Sequence, residues 1–288
     1  MAKSFFLMIL FSLYLFAKID VVVSILPQKY FVKKIAGDLV SVEVMVPPGS
    51  EPADYEPKPR QLTHLVKSKI YFSVKVPFER NWVKKFKDIN KNMMICDTTK
   101  GIKKMPMTSA YSFINDNRKR KRVDENSLDP HIWLSPLLVE KMANNIKNCL
   151  IKIDPKNKEI YEKNLKNFLK QIKSLHLYGI EKLADLKKRE FIVFHPVWGY
   201  FAKEFDLKQI PIEIEGKSPK LSTLVKLVKY AKKRGIRVIF VQPEFSKKSA
   251  KMIAESIDAK VVTLDPLDED WQRGIKNAID AFREALNR

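Results

Sequence analysis

The chain predicts an α/β protein whose two halves each hold a parallel sheet covered on both faces, joined by one long helix. Three observations predict this. Short β-branched runs lack the alternating polarity of half-exposed strands, so both faces of each sheet must be buried. Helical patterns lie between the runs. One long apolar stripe at three-or-four spacing separates the first set of runs from the second.

The amino terminus comes first. Lys3 precedes an apolar run from Phe5 to Phe16, and Ala17 closes it before Lys18 and Asp20. A helix of that length is about 18 Å, too short for a hydrocarbon layer of about 30 Å. A basic start, a short apolar middle and a small residue at the end read as a secretory signal over 1–17, so the mature chain is expected outside the cytoplasmic membrane. No cysteine follows the run, so no acylated terminus is expected.

The amino-terminal lobe, 18–153, carries candidate strands at Val21–Leu26, Val42–Val46, Ile70–Val74 and Met93–Cys96, with a helix through Tyr30, Phe31 and Ile35 up to Gly37. The long helix is expected over 154–189. Asp154 and Pro155 offer an N-cap and a first-turn proline. Tyr161, Leu165, Phe168, Ile172, Leu175 and Leu183 then mark its buried stripe. Its length would be about 50 Å. The carboxy-terminal lobe, 190–288, repeats the first pattern. Strands are expected at Phe191–Phe194, Ile210–Ile214, Val238–Val241 and Val261–Leu264, with helices around Tyr200, Leu221–Tyr230 and Ser249–Ile257.

Charge and cysteine content narrow the function. The 288 residues hold 54 Lys and Arg against 33 Asp and Glu, a formal charge of +21. Such a balance admits nucleic acid, an anionic surface or an acidic substrate as partner. The lysines are spread along the whole length, however, and an exported chain meets no nucleic acid. The run Arg118-Lys119-Arg120-Lys121-Arg122 reads as a solvated loop. Two cysteines, Cys96 and Cys149, exclude a cysteine-rich zinc finger and a disulfide-stapled mini-fold. An oxidising compartment would allow them to pair. Their positions on a strand and on a helix, 53 residues apart, favour separate buried thiols.

Four histidines are the candidates for chemistry. His64 falls on the far side of its helix from Leu62 and reads as a solvent-face residue. His176 sits inside the long helix and reads as structural. The other two occupy different places. His195 directly follows Phe191-Ile192-Val193-Phe194, at a strand's carboxyl end. His131 stands in Asp129-Pro130-His131-Ile132-Trp133, ahead of a helix that Ser135 can cap and Pro136 can begin. Asp265 ends Val261-Val262-Thr263-Leu264 as His195 ends its strand. Ligands of open α/β sheets bind beyond the carboxyl ends of the strands. Two imidazoles and a carboxylate brought together there would suit zinc or a neighbouring divalent ion.

These residues also carry a resemblance. The chain resembles the metal-binding members of the ABC-transporter solute-binding proteins, which capture zinc, manganese or iron, and among them the high-affinity zinc-uptake members. The matching strings run in order along the mature chain. They are Ser24-Ile25-Leu26-Pro27, Val46-Pro47-Pro48-Gly49, Tyr55-Glu56-Pro57, Asp129 to Pro136, Phe194-His195-Pro196, Pro211 to Gly216, Gln242 to Ser246 and Leu264-Asp265-Pro266-Leu267. The resemblance implies two Rossmann-like lobes bridged by a long helix, with a metal cleft between them. It implies His131, His195 and Asp265 as ligands, with histidine at 195 favouring Zn²⁺ over Mn²⁺ or Fe²⁺. It further implies a monomeric carrier that delivers its ion to the membrane permease of an ABC importer.

One position departs from the pattern. Family members commonly place a histidine two residues before Tyr55, where this chain has Ala53. Asp54 or Glu51 of the same loop is then an expected source of a fourth ligand, with a water in the vacancy as the alternative. The histidine-rich loop of many zinc-uptake members is missing too, since 103–125 holds no histidine. Two other classes compete with the carrier. A metal-dependent hydrolase would use three protein ligands and a water, but no His-Glu-x-x-His string exists, and Glu213 and Glu215 read better as supporting residues. A metal-independent adhesin or chelate-binding module would explain Ala53.

Overall fold

The structure, a computed structural model, describes residues 18–109, 128–213, 220–245 and 247–287, apart from the side chains of 247–249. The expected leader over 1–17, the Arg118–Arg122 run and Glu215 lie outside the described residues.

Two four-stranded parallel sheets organise the chain, as expected. The first contains β1 (Ile19–Val23), β2 (Val40–Val44), β3 (Ile70–Ser73) and β4 (Met94–Asp97), in the order β2-β1-β3-β4. The second contains β5 (Glu190–Val193), β6 (Lys208–Pro211), β7 (Val238–Val241) and β8 (Lys260–Thr263), in the order β6-β5-β7-β8. The two orders are the same permutation, and the register just past the strands matches as well. Met45 N donates to Val23 O at 2.9 Å in the first sheet, and Ile212 N donates to Val193 O at 2.8 Å in the second.

The helices are α1 (Leu26–Ala36), α2 (Pro59–Lys67), α3 (Glu79–Ile89), α4 (Pro136–Ile153), α5 (Lys158–Leu183), α6 (Gly199–Glu204), α7 (Leu221–Arg234), α8 (Lys247–Ile257) and α9 (Trp271–Leu286). Leu26, expected at the end of a strand, instead opens α1, because Pro27 has no amide hydrogen to give a sheet and suits a first helical turn. Ser135 caps α4 as expected, its hydroxyl accepting from Leu138 N at 3.2 Å. The long helix is shorter than the sequence suggested. Residues 155–157 form a 3₁₀ turn before it, and α5 has 26 residues, about 39 Å. The Asp154 carboxylate caps no α5 amide; it accepts instead from Asn157 Nδ2 at 2.6 Å and Tyr161 Oη at 2.5 Å.

The second sheet's strands face two ways. Phe191, Val193 and Phe240 enter a large core that also holds β1, β3, α1, α4, α5 and α9. Ile192, Ile239 and Val241 face a smaller core under α7 and α8. The large core is thus continuous from one sheet to the other. Phe31 of α1, Phe168 of α5 and Trp271 of α9 meet at its centre, with ring centroids 5.2–6.3 Å apart. Close approach of α5 to the second half needs Gly179, where a Cβ would lie 2.4 Å from the Phe205 ring.

The expectation of separate thiols is wrong: Cys96 and Cys149 form a disulfide. Strand β4 packs directly against α4, which brings the two Cα atoms to 6.2 Å. Sequence distance could not show that contact. Closing a loop of this size is worth about 4 kcal/mol in the chain-entropy picture.

His176 is structural, as expected. Its Nδ1 lies 2.7 Å from Glu204 Oε1 and its ring stacks on Phe205, so it joins α5 to α6. His64 is half-buried on α2 rather than fully exposed.

Candidate metal site

The carboxyl ends of β5, β6, β7 and β8 present His195, Glu213, Gln242 and Asp265 from the turns that follow each strand. Pro196 directly after His195 cannot continue a sheet ladder, so the chain turns out at the strand tip. Gln242 Nε2 donates to His195 O at 2.9 Å and fixes that turn. His131 arrives from elsewhere, in the segment before α4. That segment is tied to the second half by Trp133 Nε1 donating to Pro266 O (2.8 Å) and Trp271 Nε1 donating to Trp133 O (2.6 Å).

These ties bring His131 and His195 together. Their ring centroids are 5.5 Å apart, with the planes at 78°. Each ring is held through Nδ1 by a buried carboxylate: His131 by Asp129 Oδ1 at 2.7 Å, and His195 by Glu213 Oε2 at 3.0 Å. A carboxylate accepts, so Nδ1 carries the proton and Nε2 keeps a free lone pair. Phe245 stacks on the His195 ring, with centroids 5.5 Å apart.

Carboxylates surround the pair. Burial opposes protonation of His195, but the hydrogen bond and charge of Glu213, helped by Glu51 and Asp129, outweigh it and raise its pKa. Burial pushes the Glu244 carboxyl up as well; the charges of Asp265 and Glu51 add to this and His195 works against it. His195, Glu244, Glu51 and Asp265 therefore share one electrostatic neighbourhood. Asp265 accepts from Leu267 N at 2.7 Å. Its surface is open to solvent, yet the protein mass around it pushes its carboxyl up, with Asp268 adding to the effect.

Of the two loop acids offered for the fourth position, Glu51 is the one among the main charges acting on His195 and Glu244. Its Oε1 also accepts from Ala53 N at 3.2 Å. Asp54 is exposed. Among the described residues, no group of three or more His, Cys, Asp and Glu side chains stands arranged to hold a metal ion as it is. The structure brings the two imidazoles together, while Glu51 acts on His195 and Glu244 through its charge and Asp265 acts on Glu244.

Sequence reasoning missed three contributors. Asp129 was noted only as part of a motif, although an acid two residues before a candidate ligand histidine is a signal for a ring-orienting partner. Glu244 and Phe245 gave no such signal, because the fold alone sets them beside His195. Among the described residues, no helix is long and apolar enough to cross a membrane.

Comparison with known proteins gives the family. The family model for the periplasmic zinc-uptake complex component A, ZnuA, matches residues 21–287. The high-affinity zinc uptake system protein ZnuA of Bacillus subtilis strain 168 is 31% identical over 286 residues, covering 93% of this chain and 88% of that protein. A crystal structure of a ZnuA 138–173 deletion mutant with zinc bound superposes with a TM-score of 0.86 at 40% identity, covering 94% of this chain and 99% of that one. A second ZnuA crystal structure gives 0.85 at 40% identity, over 93% and 99%. The chain belongs to the ZnuA family of periplasmic zinc-uptake components.

Proposed function

We infer that this protein is the substrate-binding component of a zinc ABC importer, which captures Zn²⁺ and passes it to a membrane permease. The observation that carries the site assignment is the pair of imidazoles 5.5 Å apart, each with Nδ1 on a buried carboxylate. Carboxylate–histidine pairs of this kind orient a metal-ligating nitrogen and raise its basicity. In this reading Nε2 of His131 and of His195 bind the ion and Asp265 supplies an oxygen. Glu51 completes a tetrahedral set in place of the histidine absent at position 53. Two nitrogens and two oxygens suit zinc over harder ions, and Mn²⁺ and Fe²⁺ are weaker competitors for the same donors.

Capture needs deprotonated ligands, so acid works against it. The two imidazoles already stand close. Binding then asks only for Asp265 and the Glu51 loop to move in, and release for them to move out. The carrier acts outside the cytoplasmic membrane as a monomer, after loss of a leader over 1–17. The experiment is competition with a chromophoric zinc chelator. Replacing His131 and His195 together by Ala is expected to abolish high-affinity binding and zinc-dependent thermal stabilisation. Unchanged affinity in the folded double variant would overturn the assignment.

A further inference from the structure

Asp129 is fully buried, and only one of its carboxylate oxygens is accounted for by the histidine it holds. Oδ1 accepts from both His131 N (2.9 Å) and His131 Nδ1 (2.7 Å). Oδ2 has no hydrogen-bond partner among the described residues. It points at the start of α6 in the second half, against Gly199. A Cβ at Gly199 would lie 2.7 Å from Asp129 Oδ2, closer than carbon and oxygen can approach without a shift, and 3.6 Å from Gln209 Nε2. The neighbouring residue of α6 holds Asp129 by its backbone. Tyr200 Oη donates to Asp129 O at 2.9 Å and accepts from Met105 N at 2.9 Å.

We propose that Gly199 is a positioning residue for the metal site: having no side chain, it lets the Asp129 carboxylate lie where it fixes the His131 ring, while Tyr200 anchors the same residue's backbone. The proposal rests on His131 being a zinc ligand. Its local claim, that α6 sets the orientation of the His131 ring, stands apart from zinc. Ser135 and Leu137, just beyond the histidine, also contact α6, through Glu204. The first imidazole is thereby aimed by the half of the molecule that supplies the second. A methyl at 199 must push the carboxylate aside, because the opposing atom ends a short, buried side chain that His131 already holds through its other oxygen. Displacing the partner of a ligating histidine costs about 10- to 100-fold in metal affinity.

The test uses Gly199→Ala in the full mature protein, with two readouts. In the zinc-free protein, nitrogen NMR of the histidine rings should show His131 passing from a single Nδ1-protonated form to exchange between forms, with His195 unchanged. By chelator competition, Gly199→Ala should weaken zinc binding about 10- to 100-fold in an otherwise wild-type chain, and cause no further loss in Asp129→Ala, where there is no carboxylate to displace. Equal losses in the two backgrounds, or a His131 ring signal like that of the wild type, overturns the proposal. If Gly199→Ala does not fold, Tyr200→Phe replaces it: a smaller change in the same His131 signal supports the anchoring by α6, and no change refutes it. Absence of zinc binding in the wild type would sink the functional reading while leaving the ring signal to decide the positioning claim.

Discussion

The two sheets share one strand permutation but put the same positions to different use. In the first half, the carboxyl ends of β1 and β3 are closed by a buried polar network. Ser24 Oγ donates to Glu79 Oε1 at 2.6 Å and also lies 2.7 Å from Tyr71 Oη. Ser73 and the amides of Val74 and Lys75 complete the shell around Glu79. Gln28 accepts from Ser24 N at 2.9 Å and donates to Phe72 O at 3.1 Å. In the second half, the matching ends of β5 and β7 carry His195 and Gln242, with Glu213 and Asp265 beyond β6 and β8, and Gln242 Oε1 is left unpaired among the described residues. One end spends its polar groups on each other; the other uses a carboxylate to hold the His195 ring by Nδ1 and leaves the second ring nitrogen without that tie. Topology supplies the slot, and side-chain chemistry decides whether the slot holds the fold together or holds a ligand.

The largest effect should come from the closed end. Glu79→Ala leaves two buried hydroxyls and two amides without their acceptor and is expected to destabilise the protein by about 3 kcal/mol. Zinc affinity of the folded fraction should not change. Urea unfolding and chelator titration check both parts, and a matching loss of affinity would break the division between the halves.

The open end predicts the reverse. Glu213→Gln keeps the size of the side chain but removes the charge that orients His195, and should weaken zinc binding about 10- to 100-fold. The urea midpoint should move little. A variant that binds zinc normally would show that Glu213 serves the fold, as Glu79 does.

The smallest effect lies at the opposite edge of the second sheet. There the Arg234 hydrogen bond draws Glu190 from the ordinary 4.5 down to about 2; burial opposes this, and Lys208 and Tyr230 assist it. A carboxyl with a lowered folded-state pKa contributes stability above its unfolded value and loses it as pH falls. The thermal midpoint should therefore drop between pH 4.5 and about 2, and drop less in Glu190→Gln. The contribution is below about 1 kcal/mol, since Arg234 is exposed. Zinc affinity at neutral pH is the control, and a change there would mean that both edges of this sheet serve the site.

Much of this arrangement was legible in the sequence because it is local. A strand run ending in His195-Pro196 or in Asp265-Pro266 announces a strand tip, and Ser135-Pro136 announces a helix start. The ZnuA family and its two-sheet architecture followed from such strings. What stayed hidden depends on distant pairs. Trp133 reaches Pro266 across 133 positions, and Tyr200 reaches Asp129 across 71; neither indole nor phenol names its partner in sequence. The Cys96–Cys149 bond was hidden for the same reason, because strand and helix periodicity says nothing of which helix covers which strand. The α5 start was misread differently. Asp154 had two competing uses, and the nearby Asn157 and Tyr161 won its carboxylate from the helix amides.

The shared core makes each half of the molecule depend on the other. Phe31 meets Trp271 at 5.2 Å between rings, and Trp271 belongs to α9, so a helix from the far half of the sequence completes the core of the first half. Without α9 the core beside the first sheet lacks the indole that packs on Phe31 and Phe168, a loss of about 3–5 kcal/mol by the measure of large-to-small core substitutions. A chain cut before α9 is therefore expected to lose stability in its first half as well as its second.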